Sequence, residues 1–134
     1  MTIRTALKAD LATLANHDRH ISLAELENLI AFGRVTILEE DGEFAGWLRW
    51  NLFWDNTPFL NMIFLLPAYQ GKGYGRALIA NWEEEMRCLG FDRVMTSTAS
   101  DEYAQHFYHK LGYTAIGGFT PFDDPYELIF SKKL

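Results

Sequence analysis

Apolar and polar residues alternate along this chain with two different periods, and the change of period divides it into elements. Residues 2–6, "TIRTA", form a short strand pattern. Residues 9–16, "ADLATLAN", suit a short helix with Leu11, Leu14 and Ala15 as its apolar positions. The polar stretch "HDRHI" (17–21) breaks it. Ser22 and Glu25 then have capping-box spacing, and "LAELENLIAF" places Leu23, Leu26, Leu29 and Ile30 on one helical face before Gly33. From "RVTILEE" the period becomes two. The dipeptide Asp41-Gly42 predicts a tight turn into a long strand, "EFAGWLRWNLFW", and "DNTP" (55–58) a second turn. "FLNMIFLL" is nearly all apolar, as a central strand covered on both faces should be. Leu78, Ile79, Trp82, Met86 and Leu89 repeat at three- and four-residue spacing, predicting a helix from about Tyr74 to Leu89. "DRVMTST" reads as a strand and "DEYAQHFYHKL" as a helix stopped by Gly112. Strands "YTAIG" and "YELIFSK" follow, separated by the loop "GFTPFDDP".

The order is β-α-α-β-β-β-α-β-α-β-β. Antiparallel hairpins precede a β-α-β unit, which predicts an α/β (α+β) fold: a mixed sheet with helices on both faces. At 134 residues the chain fits one domain, residues 1–134. No repeat or low-complexity tract interrupts it.

Composition narrows the chemistry. The net charge of −6 argues against non-specific nucleic-acid binding, which needs Lys and Arg to neutralise phosphates. One cysteine, Cys88, leaves no internal disulfide and no Cys-rich zinc site. "MTIRTALKAD" lacks the apolar core of a signal peptide, and no apolar run reaches the roughly 18 residues of a membrane span. The expectation is a cytoplasmic protein with no membrane partner. "HDRH" (17–20) has ligand-type residues but no remote ligand pair, so it reads as a solvated loop and no metal is expected.

The stretch Gln70-Gly71-Lys72-Gly73-Tyr74-Gly75-Arg76 is the most informative. Three glycines at alternate positions join a buried strand to a helix N-terminus. Such a junction offers unpaired N–H groups and the positive end of the helix dipole, an anion site suited to phosphate. A turn alone would need only one glycine with positive φ. The Walker pattern is absent, since no Ser or Thr follows Lys72, and the dinucleotide pattern lacks its third glycine in register.

Gln70, Gly73 and Gly75 make the pattern Q-x-x-G-x-G, which resembles the coenzyme A loop of the GNAT N-acetyltransferases. "IFLLPAYQGKGYGRALI" is similar to that family's fourth strand, loop and third helix, and "DEYAQHFYHKLGY" to its late helix-plus-Gly motif. The likeness extends over nearly the whole chain, including the element order. It implies the acyl-CoA N-acyltransferase fold, with a mixed, mostly antiparallel sheet of about six or seven strands. It also implies acetyl-CoA as co-substrate and an amine as acceptor.

Residue by residue, the resemblance implies that the loop Gln70–Arg76, with Lys72 and Tyr74, holds the pyrophosphate through the N–H groups of Gly71, Gly73, Gly75 and Arg76. It further implies that the pantetheine arm pairs with the backbone of Phe64, Leu65 and Leu66. Tyr108 matches the tyrosine that protonates the departing CoA thiolate. A phenol, with pKa about 10, suits that role, and the same ring also fits the helix's apolar face. Where the family often has an Asn that touches the coenzyme, this chain has Asp101, which reads first as an N-cap and second as a coenzyme contact.

The acceptor must lose a proton. The family often uses an acid on the fourth strand, but "FLNMIFLL" has none. Asp55 is the nearest candidate base, and His17, Asp18, His20 and Glu127 are others; a water relay is an equal alternative. Trp54 with Phe59, or Phe119 with Phe122, are candidates for an aromatic wall around a cationic amine. The sheet edges and aromatic strands are compatible with a homodimer. The competing functional reading is a silent acyl-CoA-binding module of the same fold.

Overall fold

The computed structural model describes all 134 residues. Seven strands form one mixed sheet: β1 (Thr2–Thr5), β2 (Val35–Glu40), β3 (Glu43–Phe53), β4 (Thr57–Leu65), β5 (Arg93–Ala99), β6 (Thr114–Phe119) and β7 (Glu127–Lys133). Four helices accompany them: α1 (Leu11–His17), α2 (Leu23–Ala31), α3 (Tyr74–Cys88) and α4 (Ala104–Lys110). The strand order is β1-β2-β3-β4-β5-β7-β6. Pairing is antiparallel in β1–β2, β2–β3, β5–β7 and β6–β7, and parallel in β4–β5. This is the predicted mixed sheet. Packing divides the chain into two compact units, residues 1–51 with 62–81 and residues 52–61 with 82–134.

In the first unit the local signals act as read. Ser22 Oγ accepts the Glu25 N–H at 3.2 Å and starts α2. The helix ends where the N–H groups of Gly33 and Arg34 turn back to Ile30 and Leu29. Asp41 and Gly42 both have positive φ, 52° and 78°, as a two-residue hairpin turn demands. The core of this unit is apolar: Leu14, Leu26, Leu29, Val35, Ile37 and Trp47 are buried together.

One ion pair is enclosed with them. Asp18, whose side chain is 0% exposed, follows α1 and faces β3. Its Oδ2 accepts Arg49 Nε at 2.6 Å and Trp47 Nε1 at 3.0 Å, and its Oδ1 accepts the His20 N–H at 3.1 Å. Burial pushes the Asp18 carboxyl up. The Arg49 hydrogen bond and charge, with the His20 and Trp47 donors, outweigh burial and hold it below the usual carboxylate range. The polar loop after α1 is thereby tied to the sheet.

β3 is irregular at one place. Leu38 pairs with Gly46 but Glu39 pairs with Phe44, so Ala45 is an extra residue on β3, a β-bulge.

The second unit holds β5, β7, β6 and α4, with the hairpin tip that joins β3 to β4. That tip corrects the predicted turn by one residue. The positive-φ positions are Trp54 (55°) and Asp55 (62°), and the Asn56 N–H bonds Phe53 O at 3.2 Å. Trp54 is therefore a turn residue, 78% exposed, and not the end of a strand. The parallel ladder between β4 and β5 runs over Phe59↔Met95 and Leu60↔Thr96. α4 starts at Ala104, later than predicted. Its N-cap is Tyr103, with no side-chain cap, so Asp101 does not cap the helix. Instead Gln105 reaches back and its Nε2 donates to Ser100 O (2.8 Å) and Glu102 O (3.2 Å), shaping the preceding turn.

A second buried carboxylate serves this unit. Glu83 of α3 accepts Tyr113 O–H at 2.8 Å and Lys132 Nζ at 2.9 Å. Burial and the Glu83 carboxylate both push the Tyr113 phenol far up. β6 is an outer strand of the sheet, and Ile116 is an extra residue in its pairing with β7. None of its six residues is charged.

Removing one partner of a buried ion pair strands the other. Asp18→Asn should lower the unfolding free energy by about 3 kcal/mol at neutral pH, read by chemical denaturation. Because the folded carboxyl titrates below its unfolded value near 3.9, this contribution is present above that pH. It disappears as pH falls through the folded value, so the wild-type and Asp18→Asn curves should converge in acid.

Candidate active site

The loop after β4 is held at both ends by its own side chains. A 3-10 turn at Pro67–Tyr69 follows β4, and the Tyr69 N–H bonds Leu66 O at 2.8 Å. Gln70 Nε2 donates to Leu65 O at 2.8 Å. The Tyr74 hydroxyl donates to the carboxylate of Glu40 on β2. This contact holds Glu40 below its ordinary range and raises Tyr74 above its own. The side chains of Gln70 and Tyr74 are thus engaged with the protein and fix the loop's course.

Between these anchors the backbone is exposed. Gly71 and Gly73 have φ of 74° and 84°, and no atom lies within 4 Å of where a Cβ would stand on either. Both need the left-handed conformation that glycine adopts without strain. Gly75 is different: it lies in the first turn of α3, where glycine costs about 1 kcal/mol relative to alanine. The first helical bond runs from Ala77 N–H to Gly73 O at 3.2 Å. The N–H groups of Tyr74, Gly75 and Arg76 precede it and have no intrahelical acceptor. Lys72 and Arg76 are exposed on the same loop. The arrangement is a cationic cradle of backbone donors at a 15-residue helix's positive end.

Upstream, the end of β4 leans on β3. Leu66 N–H donates to Ala45 O at 2.8 Å, and Leu66 O takes the Tyr69 N–H. Both backbone groups of Leu66 are therefore spent inside the protein, and the expected pairing of this residue with a ligand strand is corrected accordingly. Leu65 is the residue whose peptide groups face outward. Its carbonyl, joined in one trans peptide to Leu66 N–H, points away from β3 and meets Gln70.

Tyr108 sits in the second unit on α4, 5% exposed, its ring against Tyr113, Phe107 and Phe130 at 5.4–5.9 Å between centroids. Its hydroxyl shares a hydrogen bond with Thr96 on β5, whose Oγ1 donates to Leu60 O of β4 at 3.0 Å. Burial pushes the phenol above its ordinary value; the Thr96 hydroxyl offsets part of this. Tyr108 is consequently a neutral phenol, proton in place, throughout the neutral range.

The turn that Asp101 fails to cap contributes to a cavity of about 420 Å³, lined by Ala99, Asp101, Glu102, Pro121, Asp124, Pro125 and Glu127. Asp101 and Glu127 are thus brought together. Sequence reasoning missed Glu102 and Asp124 here; the run Asp123-Asp124 in a late loop was the available signal. Phe119 is the last residue of β6 and not a loop residue as expected, and Phe122 lies in the loop after it; they are 51% and 97% exposed.

Asp18 is committed to Arg49 and Trp47 and is corrected from base to structural anchor. His17 is exposed and stacks on Phe44 at 5.0 Å. Asp55 is exposed at the β3–β4 hairpin tip. Trp54, beside it, is largely exposed and packs on Phe53 with ring centroids 4.8 Å apart. No group of three or more His, Cys, Asp or Glu side chains is disposed to hold a metal ion. No helix is long and apolar enough to cross a membrane.

Comparison with known proteins agrees with this geometry. Among curated proteins, the chain is similar to an L-methionine sulfoximine/L-methionine sulfone acetyltransferase of Salmonella typhimurium. The two are 29% identical over 139 aligned positions, covering 85% of this chain and 80% of that protein. Among solved structures, yncA of Salmonella typhimurium, with its cofactor acetyl-CoA, superposes with a TM-score of 0.79 at 26% identity, covering 99% and 93% of the two chains. Ard1 of Thermoplasma volcanium shares the fold, with a TM-score of 0.85 at 15% identity and coverage of 99% and 97%. The sequence profile of the acetyltransferase (GNAT) family matches residues 4–113. The chain belongs to that family.

Proposed function

We propose that this protein transfers the acetyl group of acetyl-CoA to the primary amine of a small molecule, with Tyr108 as general acid. The observation that carries the reading is the loop at residues 70–76. It combines two glycines in left-handed conformation, a third inside a helical turn, open space above the first two, and unpaired N–H groups beside two cations. A pyrophosphate satisfies all of these at once. The acetyl-CoA bound to yncA supports the same choice of ligand.

In the proposed reaction the neutral amine attacks the thioester carbonyl carbon, a C–N bond forms, and the C–S bond breaks. The electron pair leaves on sulfur, and Tyr108 gives that sulfur its proton. The acceptor ammonium loses one proton to water before attack, and the proton that the nitrogen sheds as the amide forms returns through water to the Tyr108 phenolate. Asp55, at its exposed tip, stands as an alternative recipient of the first. Backbone donors hold the pyrophosphate, and Leu65 offers the pantetheine arm an outward-facing strand edge. The acidic cavity with Asp101, Glu102, Asp124 and Glu127 draws the acceptor in its cationic form. Asp101 here acts on the acceptor's side or the coenzyme's, and not on the helix. The Salmonella relative, named for two amino-acid derivatives, supports a small acceptor.

One observation favours a second reading, a silent acyl-CoA binder: β4 carries no carboxylate. Calorimetry with acetyl-CoA and thiol release over a panel of amines, methionine sulfone included, separate the two. Micromolar binding with thiol release is expected. Binding without release for any amine would select the silent binder, and no binding by folded protein would overturn both.

Two variants test the parts. Tyr108→Phe should lower kcat by about 10²-fold with the acetyl-CoA KM within twofold; equal turnover would remove the general-acid role. Tyr74→Phe, which frees Glu40 from the loop, should raise the acetyl-CoA KM about fivefold and leave kcat unchanged, read by steady-state thiol release.

A further inference from the structure

Gly46 lies in the middle of β3, where glycine weakens a strand and needs a reason. The reason is its neighbour. A Cβ built on Gly46 would stand 2.5 Å from Phe64 O, 2.8 Å from Leu65 Cδ2 and 3.2 Å from Leu65 Cα. Two of these three atoms are backbone, so no rotamer change relieves the clash. The end of β4 has sunk into the space that a side chain at 46 would fill.

That settling fixes the direction of the next peptide group. With the Phe64 oxygen turned against Gly46, the N–H of the same trans peptide, Leu65 N–H, points away from β3. One residue later the Leu66 N–H returns to Ala45 O, the bulged position of β3. Adjacent residues of β3 thus act together: Ala45 accepts the strand's end, and Gly46 lets the preceding carbonyl in. Trp47, the next residue, packs its ring on Phe64 at 5.3 Å and closes the contact from the side.

We propose that Gly46 is a positioning residue for acetyl-CoA, its missing side chain letting the Phe64 carbonyl seat against β3 so that the Leu65 N–H faces outward. The proposal rests on the acetyl-CoA reading above. It assigns to a residue of β3, remote in sequence from the glycine loop, control over the pantetheine half of the ligand and none over the pyrophosphate half. The loop's own anchors are different contacts, Gln70 on Leu65 O and Tyr74 on Glu40, and neither involves Gly46.

The test compares acetyl-CoA with 3′-phospho-ADP, the part of coenzyme A that carries the pyrophosphate and no pantetheine. By calorimetry, Gly46→Ala should weaken acetyl-CoA at least tenfold and change 3′-phospho-ADP less than twofold. Equal losses for both ligands, or no loss for either, would overturn the proposal. Amide exchange on the wild-type protein supplies a measurement independent of the variant's folding. The Leu65 N–H should exchange freely in the unliganded protein, gain at least tenfold protection with acetyl-CoA, and gain none with 3′-phospho-ADP. Protection already present without ligand, or absent with acetyl-CoA bound, would equally overturn it. Failure of the wild-type protein to bind acetyl-CoA at all would instead remove the reading on which the proposal rests.

Discussion

The carbonyl of Phe64 occupies the place where Gly46 has no side chain, and the course of the chain for the next ten residues follows from that contact. Packing at this density leaves no slack: a backbone oxygen 2.5 Å from a would-be Cβ permits glycine and nothing larger. Once the strand is seated there, Leu66 is delivered to Ala45, Leu65 O to Gln70, and the glycine loop begins from a fixed origin. A loop of three glycines has little conformational preference of its own. Its shape is imposed by the strand before it and by the helix after it.

Both buried carboxylates follow one design. Asp18 and Glu83 each lie in an otherwise apolar setting, and each is met by a cation and by an aromatic donor: Arg49 with Trp47, Lys132 with Tyr113. A buried ion pair adds little net stability over an apolar replacement, but its geometry is demanding. Asp18 selects one arrangement of a polar loop that has few apolar residues of its own. Glu83 does the same for α3 against the starts and ends of β6 and β7. The protein thus spends its enclosed charges on fixing segments in place and keeps its other carboxylates at the surface.

Much of this was legible beforehand. Strand and helix periods, the Asp41-Gly42 turn, the Ser22 cap and the glycine loop are local signals, each set by residues within a few positions of one another. Two signals failed to a competitor nearby in sequence. Asp101 is a sound cap by type, but Gln105 holds the turn through Ser100 and Glu102, and the helix starts beyond its reach. "DNTP" offered better turn residues than Trp54, yet the hairpin register placed Trp54 in the left-handed position. Asp18 looked like one more polar loop residue, because nothing local says that Arg49 lies opposite. Gly46 carried a visible signal, a glycine inside a strand pattern, whose meaning needed the position of β4.

β6 makes a last point about edges. Sheet edges are commonly guarded by charged side chains that keep other strands away, and this outer strand has none among its six residues. Its guard is geometric: Ile116 bulges out of the ladder and interrupts the straight row of donors and acceptors that an incoming strand would need. A lysine guard weakens as salt screens it or as its proton is lost. A bulge carries no charge for salt to screen and no proton to lose, so this guard does not share the ionic-strength and pH dependence of a charged one.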